Sequence, residues 1–199
     1  MARNKRPGGS NRLRIIGGRW RGRRLVFPDA AGLRPTPDRV RETLFNWLQS
    51  RVPGARVLDA FAGSGALGFE AASRGAGQVL MIERAPRVLR ALEHSRDELG
   101  AEAVEIRRGN ALEYLSHCED PWDLILLDPP FGQGLAEKSL YAIRESGCLS
   151  PEGRVYLEVE RQLPLDAALD GWQVLHDRQA GDVRYLLLAQ QEQDSSPTS

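Results

Sequence analysis

The sequence predicts an α/β fold with a doubly wound, mostly parallel sheet, and three observations support that prediction. From about residue 55 onward, short apolar runs alternate with amphipathic stretches, which is the pattern of strands and helices in consecutive βα units. The first apolar run leads into a glycine-rich turn and then a helix, as in nucleotide-binding sheets. Two closely spaced apolar runs end the chain and predict an antiparallel hairpin.

The order of the predicted elements narrows the fold class. Strands are expected at 56–60, 78–82, 103–107, 122–127, 154–159, 172–176 and 183–189. Helices are expected between them at 65–74, 86–99, 110–117 and 135–146. A further helix should run from Pro37 to about Ser50, with Thr36 as its N-cap. Seven strands that end in a reversed strand form the Rossmann-like sheet of class I methyltransferases, whereas dehydrogenases repeat a second βαβαβ half.

Composition fits one globular domain with two polar ends. The chain has 199 residues, of which 41% are hydrophobic and 27% charged. Its two cysteines lack the spacing of a metal site, and its apolar runs are too short to cross a bilayer. We therefore expect a monomeric cytoplasmic protein that binds neither metal nor membrane. We predict a disordered basic tail at 1–11, a basic β-hairpin at 12–34, the α/β domain at 35–189 and a disordered tail at 190–199.

The charge is divided unevenly along the chain. Residues 1–41 hold 12 Lys or Arg and 2 Asp, a net charge of +10, so the remaining 15 basic and 25 acidic residues give −10. Basic side chains interleaved with strand-forming apolar residues predict contact with a nucleic-acid backbone. The predicted RNA-binding residues are Arg12, Arg14, Arg19, Trp20, Arg21, Arg23 and Arg24, with the Trp20 ring stacking on an unpaired base. The alternative is a solvated basic segment that aids solubility or localisation.

The glycine-rich turn predicts a cofactor site. It contains Gly63-x-Gly65-x-x-Gly68, and an acidic residue, Glu83, follows the next strand, where it would bind ribose hydroxyls. The same spacing fits the dinucleotide fingerprint of an NAD-dependent dehydrogenase. Asp59 argues against that alternative, because a carboxylate just before the loop repels a pyrophosphate at the helix N-terminus. It suits S-adenosylmethionine, which carries a sulfonium and an ammonium group and no phosphate.

A second motif, Asp128-Pro-Pro-Phe131, directly follows the apolar run at 122–127 and is typical of amine methylation. An exocyclic base amine is a poor nucleophile, so an enzyme must hold hydrogen-bond acceptors against its N–H groups. The two prolines fix φ and remove backbone donors, so the turn can present the Asp128 carboxylate and the Pro129 carbonyl. Phe131 would stack on the base. The alternative is a simple turn that ends the strand.

Several polar residues follow the predicted strands and should meet at one edge of the sheet. They are Asp59, Glu83, Asn110 and Asp128. Asn110 would bind the adenine edge of the cofactor or, equally, cap the next helix. Arg39, Glu42 and Asn46 share a helix face that could cover the cofactor, or Arg39 and Glu42 form a surface ion pair.

Taken together, these motifs resemble the RsmD-type small-subunit rRNA guanine-N2 methyltransferases of bacteria. The resemblance runs from Arg14 to about Ala189 and rests on RIIGGRWRGR, on RPTPDRVRETLFNWL, on DAFAGSGALGFEAASRGA and on DPPF. It implies S-adenosylmethionine as methyl donor and, as substrate, one guanine of 16S rRNA in a partly or fully assembled small ribosomal subunit. By position it implies the catalytic residues Asp128, Pro129, Pro130 and Phe131. It also implies the cofactor-binding residues Asp59, Phe61, Ala62, Gly63, Ser64, Gly65, Glu83, Arg84, Asn110 and Ala111, together with Arg34, Thr36 and Arg39.

Three other functions fit parts of the sequence. A DNA or RNA adenine-N6 methyltransferase shares the Asp-Pro-Pro chemistry, and the dehydrogenase shares the glycine spacing. A non-catalytic ribosome assembly factor would use the basic segment alone. We expect methyl transfer directly to guanine N2, without a covalent enzyme intermediate, because neither cysteine lies near a recognised motif.

Overall fold

The computed structural model describes residues 10–29, 35–118 and 120–191. The strands of this part are β1 (Ser10–Arg14), β2 (Arg24–Pro28), β3 (Arg56–Asp59), β4 (Gln78–Glu83), β5 (Val104–Arg108), β6 (Trp122–Leu127), β7 (Leu149–Glu160), β8 (Trp172–Ala180) and β9 (Val183–Gln190). Its helices are α1 (Asp38–Trp47), α2 (Ala66–Ser73), α3 (Pro86–Leu99), α4 (Ala111–Ser116) and α5 (Leu135–Ser146).

Seven strands form one sheet in the order β5-β4-β3-β6-β7-β9-β8. The strands from β3 to β7 pair in parallel, whereas β9 pairs antiparallel with both β7 and β8. The predicted class I methyltransferase sheet with a reversed last strand is therefore confirmed. The strand order switches direction between β3 and β6, and ligands of doubly wound sheets bind at that point, beyond the carboxyl ends of the strands.

Each face of the sheet is covered by its own apolar cluster. Val57 and Leu58 of β3 belong to opposite clusters, because successive side chains of a strand point to opposite faces. Residues of α1, α2 and α3 cover the first face, and residues of α4 and α5 cover the second. With both faces covered, the carboxyl ends of the strands are the part of the sheet that is left for a ligand.

The N-terminal strands β1 and β2 form the predicted basic hairpin, paired antiparallel from Ser10 opposite Pro28 to Arg14 opposite Arg24. Leu13, Leu25 and Phe27 are buried in the same apolar cluster as α1, α2 and α3. The hairpin is thus fixed against the sheet domain by ordinary core packing.

Some boundaries differ from the predictions. Residues 10 and 11, expected in the tail, pair within β1, and Gln190, also expected in a tail, closes β9. The N-cap of α1 is Pro37 and not Thr36, whose hydroxyl binds Glu158 instead. β7 begins five residues earlier than expected, because a register shift beside β6 accommodates Pro151 and Gly153. Residues 1–9 and 192–199 of the predicted tails, and Arg34, lie outside the described residues.

Among the described helices, none combines the length and the apolarity that a membrane span requires.

Candidate active site

Glycines shape the loop between β3 and α2. Gly63 and Gly65 have φ values of 49° and 78°, which residues with a side chain rarely adopt. A Cβ at Gly68 would lie 2.4 Å from Cε of Met81 and 2.9 Å from Oδ2 of Asp59. The loop therefore turns tightly at the carboxyl end of β3, and α2 starts directly against the sheet.

Asp59 is the carboxylate at the end of β3, and it is buried, with an exposed fraction of 1%. Its Oδ2 accepts the N–H of Gly68 at 2.9 Å. Its pKa is raised from 3.8 to about 7, first by burial and then by the charges of Glu83 and Glu158, while hydrogen bonds from backbone N–H groups act in the opposite direction. A cation bound nearby would restore the ionised form.

Glu83 ends β4 and is half-buried. Its Oε2 accepts the N–H of Gly63 at 3.1 Å, and its Oε1 accepts the N–H of Ala85 at 2.7 Å. A carboxylate has about four acceptor positions, so two remain for a ligand. Glu83 thus both holds the glycine loop and offers acceptors of the kind that ribose hydroxyls need.

Two cavities lie on either side of the Asp128–Phe131 turn. The first, about 170 Å³, adjoins the glycine loop and is lined by predicted cofactor residues. These are Phe61, Gly63, Glu83, Arg84, Asn110 and Ala111, with Asp128 and Pro130 from the turn. The second, about 250 Å³, is lined by Pro129, Pro130 and Phe131 together with Glu158 and Glu160. Pro130 of the turn lines both cavities, which we call the donor-side cavity and the acceptor-side cavity after the roles that the sequence predicts for their residues.

Asp128 is half-buried and lines the first of these cavities. Its pKa is raised well above the usual value, first because it loses water and then because the carboxylates of Glu158 and Asp59 lie nearby. Within the described residues none of these three acids forms an ion pair. The site is therefore acidic and uncompensated, which favours a cationic ligand over a pyrophosphate.

Sequence reasoning missed Glu158 and Tyr156 of β7. Glu158 is 3% exposed, and its Oε1 accepts the hydroxyls of Thr36 and Tyr156, each at 2.8 Å. Thr36 Oγ1 also lies 3.4 Å from Oδ2 of Asp128. The sequence could have indicated Glu158, because a glutamate inside the apolar run Val155–Val159 cannot be buried without hydrogen-bond partners.

The remaining predicted cofactor residues are placed as follows. Asn110 caps α4, where its side-chain oxygen accepts the N–H of Leu112 at 3.0 Å, and it also lines the donor-side cavity. Ala62, Ser64 and Gly65 are buried beneath the loop. Arg39 is exposed on α1, and neither cavity beside the turn is lined by it.

Comparison with known proteins gives the family. The family model described as "Conserved hypothetical protein 95" matches residues 13–189. The ribosomal RNA small subunit methyltransferase D of Escherichia coli is 42% identical over 188 residues, which cover 94% of this chain and 95% of that protein. The protein of the same name from Haemophilus influenzae is 38% identical, covering 94% of this chain and 98% of its own length.

The chain belongs to the RsmD family of ribosomal RNA methyltransferases. The solved structure of Escherichia coli yhhF, assigned as a methyltransferase, superimposes with a TM-score of 0.85 at 41% identity, covering 92% of this chain and all of that one. A ribosomal protein L11 methylase from Lactobacillus delbrueckii has a TM-score of 0.64 at 20% identity, over 83% of this chain and 86% of its own, and shows the shared fold alone.

The hairpin of this RsmD-family chain turns its arginines outward. Arg12, Arg14 and Arg24 alternate with buried leucines and are exposed on one face, and Arg19, Arg21 and Arg23 are exposed around the turn. Trp20 corrects the sequence prediction. It is 8% exposed within the apolar cluster, so its ring is not free to stack on a base.

Glu70 of α2 joins the hairpin to the helix that follows the glycine loop. It is fully buried, and its two carboxylate oxygens accept the N–H groups of Ile16 and Gly17, each at 2.8 Å. The same carboxylate pairs with Arg74 at 2.8 Å and with buried Arg41 at 3.5 Å. The helix that follows the glycine loop is thereby fixed to the basic hairpin.

Proposed function

We propose that this RsmD-family chain transfers a methyl group from S-adenosylmethionine to the exocyclic N2 amine of one guanine of 16S rRNA. The substrate is a partly or fully assembled small ribosomal subunit, in the cytoplasm. The observation that carries the proposal is the position of the Asp-Pro-Pro-Phe turn between two cavities, one beside the glycine loop and one lined by Phe131. Relatives named small-subunit rRNA methyltransferases support the choice of RNA.

The donor-side cavity suits S-adenosylmethionine by its charge. Glu83 lines it at the end of β4, and Asp59 lies buried at the end of the neighbouring β3, where burial first and then the charges of Glu83 and Glu158 raise its pKa. Glu83 would bind the ribose, while Phe61, Asn110 and Ala111 would surround the adenine. When bound, S-adenosylmethionine would supply a methyl group from a positively charged sulfur, which would leave as a neutral thioether, and the methylated amine would release one proton to water.

The acceptor-side cavity suits a flat base. Phe131 is 43% exposed beside it, so its ring can stack on a base that has left its helix. Asp128 and the Pro129 carbonyl would accept the two N–H groups of the amine and turn its lone pair toward the donor-side cavity. Orientation of this kind supplies much of the rate in a transfer between two bound molecules.

The test is transfer of labelled methyl to small subunits that lack this modification, with naked 16S rRNA and duplex DNA assayed in parallel, followed by nucleoside mass analysis. We expect N2-methylguanosine on subunits. N6-methyladenine would identify the adenine methyltransferase instead. Protection against heat by NAD and not by S-adenosylmethionine would identify the dehydrogenase.

Replacement of Asp128 tests the site itself. Asp128→Ala should abolish transfer and leave S-adenosylmethionine binding in place. Asp123→Ala is the matched control, because Asp123 is an exposed carboxylate on β6, the strand that Asp128 directly follows. Turnover above about a tenth of wild type in Asp128→Ala would contradict the assignment, since loss of an essential orienting group costs at least about a hundredfold.

A further inference from the structure

Three oxygen atoms meet where the Asp-Pro-Pro turn reaches the interior. Thr36 Oγ1 lies 2.8 Å from Oε1 of Glu158 and 3.4 Å from Oδ2 of Asp128. The two carboxylates come from β7 and from the end of β6, neighbouring strands of the sheet, and Thr36 precedes α1. A residue separated from Glu158 by 122 positions thus bridges two acids that would otherwise repel each other.

A threonine hydroxyl carries one proton, so Thr36 can donate to one of the two carboxylates at a time. The shorter distance assigns that proton to Glu158, and Tyr156 donates a second one to the same oxygen at 2.8 Å. Oδ2 of Asp128 is left without a strong donor among the described residues. An acceptor with unused capacity is what a substrate amine requires.

We propose that Glu158 is a positioning residue for methyl transfer, acting on Asp128 through the hydroxyl of Thr36. Glu158 holds the Thr36 hydroxyl at 2.8 Å and draws its proton away from Asp128, and the Thr36 oxygen, 3.4 Å from Oδ2 of Asp128, limits by contact where that carboxylate lies. Glu158 itself does not contact the reacting atoms in this scheme. The inference rests on the proposed function, because it assumes that Asp128 holds the acceptor amine.

The negative charge of Glu158 gives a second test of the proposal, through the pH dependence of kcat. Asp128 faces Glu158 of β7 and Asp59 of β3, and Glu158 faces Asp128 and Tyr156, with Tyr185 of β9 beside Tyr156. The negative charge of Glu158 raises the pKa of Asp128. Glu158→Gln removes that charge, so the acidic limb of the kcat profile should move to lower pH. A merely structural role for Glu158 would lower kcat equally at every pH.

The experiment uses the full-length protein with small subunits as acceptor. Glu158→Gln preserves shape and removes the negative charge that draws the Thr36 proton, Thr36→Val preserves shape and removes the hydroxyl, and Thr36→Ser keeps the hydroxyl. Matched controls are Glu152→Gln, exposed on the same strand as Glu158, and Thr43→Val, whose hydroxyl donates to the carbonyl of Arg39 in its own helix. Thermal unfolding and S-adenosylmethionine binding are measured for every variant.

We expect Glu158→Gln and Thr36→Val each to lower kcat by roughly tenfold to a hundredfold, with both KM values nearly unchanged. The double variant should be no worse than either single one, because both act through the same contact. Thr36→Ser should restore most of the rate.

Two results would overturn the inference while Asp128→Ala remains inactive. One is a kcat for Glu158→Gln and Thr36→Val that stays within about twofold of wild type. The other is additive losses that do not vary with pH and parallel a loss of thermal stability, which would mean that Glu158 only holds the fold together. If Asp128→Ala itself retained turnover, the proposed function would fail, and that outcome is separate from either of these.

Discussion

Replacement of Asp59 by asparagine should make the stability of the cofactor-free protein much less dependent on pH. The folded protein keeps the Asp59 proton up to about pH 7, whereas the unfolded chain releases it near 3.8. Between those values the folded state binds more protons than the unfolded state, so the free energy of unfolding falls as pH rises. The amide of the variant does not titrate, and its oxygen can still accept the N–H of Gly68.

The size of the effect follows from the two pKa values. The difference between 3.8 and about 7 corresponds to about 4 kcal/mol, since each unit is worth about 1.4 kcal/mol. About 3 kcal/mol of that total falls between about pH 5 and about pH 8, because part of the penalty has already accrued below pH 5. Relative to wild type, Asp59→Asn should therefore gain about 3 kcal/mol of stability across that interval.

The assay is urea unfolding of both proteins at several pH values, with the difference between them plotted against pH. Any fixed cost of burying the amide cancels from the slope of this difference. Asp123→Asn is the control, because Asp123 also accepts a backbone N–H, from Arg56 at 2.9 Å, but is exposed to water. A difference between Asp59→Asn and wild type that stays flat from about pH 5 to about pH 8 would refute the reasoning.

Two further predictions concern the hairpin. Glu70→Gln should lower the free energy of unfolding, measured in urea, by about 3 kcal/mol, because it leaves buried Arg41 without one of its charged partners. The control, Glu145→Gln on the exposed face of α5, should change that free energy little. Replacing Arg12, Arg14 and Arg24 together by alanine should reduce the slope of log affinity for small subunits against log salt by about 2 to 3, since each lost phosphate contact contributes about 0.7 to 0.9. An unchanged slope would mean that these arginines do not contact RNA; Arg51→Ala, which removes an arginine paired with Glu152 of β7, is the control.

The sequence was sufficient where local pattern decides structure. Every predicted sheet strand was found, because five of the seven were mainly apolar runs and β5 and β8 alternate apolar with polar residues. Glu83, Asn110 and Asp128 meet around one cavity because parallel strands end at the same edge of a sheet. The glycine spacing and the Asp-Pro-Pro turn thus predicted part of the lining of this cavity, whereas Asp59, Ser64 and Gly65 lie outside that lining.

Long-range contacts and burial were not predictable in the same way. Nothing local distinguishes Thr36 as a helix cap from Thr36 as the partner of Glu158, since that choice is made by a strand far along the chain. Trp20 lies between two arginines, which suggested an exposed stacking platform. Instead Trp20 lies on the side of the hairpin that packs against the core. There the free energy gained by burying a large indole ring outweighs the preference of the neighbouring arginines for water.

The net charge of zero conceals an acidic region and a basic region, and the structure places them apart. Acids without ion-pair partners among the described residues surround the cavities beside the turn, while the arginines of the hairpin lie on its solvent face. Exposed charges are screened over about 8 Å at physiological salt, whereas buried ones are screened much less. Added salt should therefore weaken the binding of a polyanion to the hairpin. It should have much less effect on the binding of a small cation at the acidic site. A single fold can in this way bind a polyanionic acceptor and a cationic donor without either field cancelling the other.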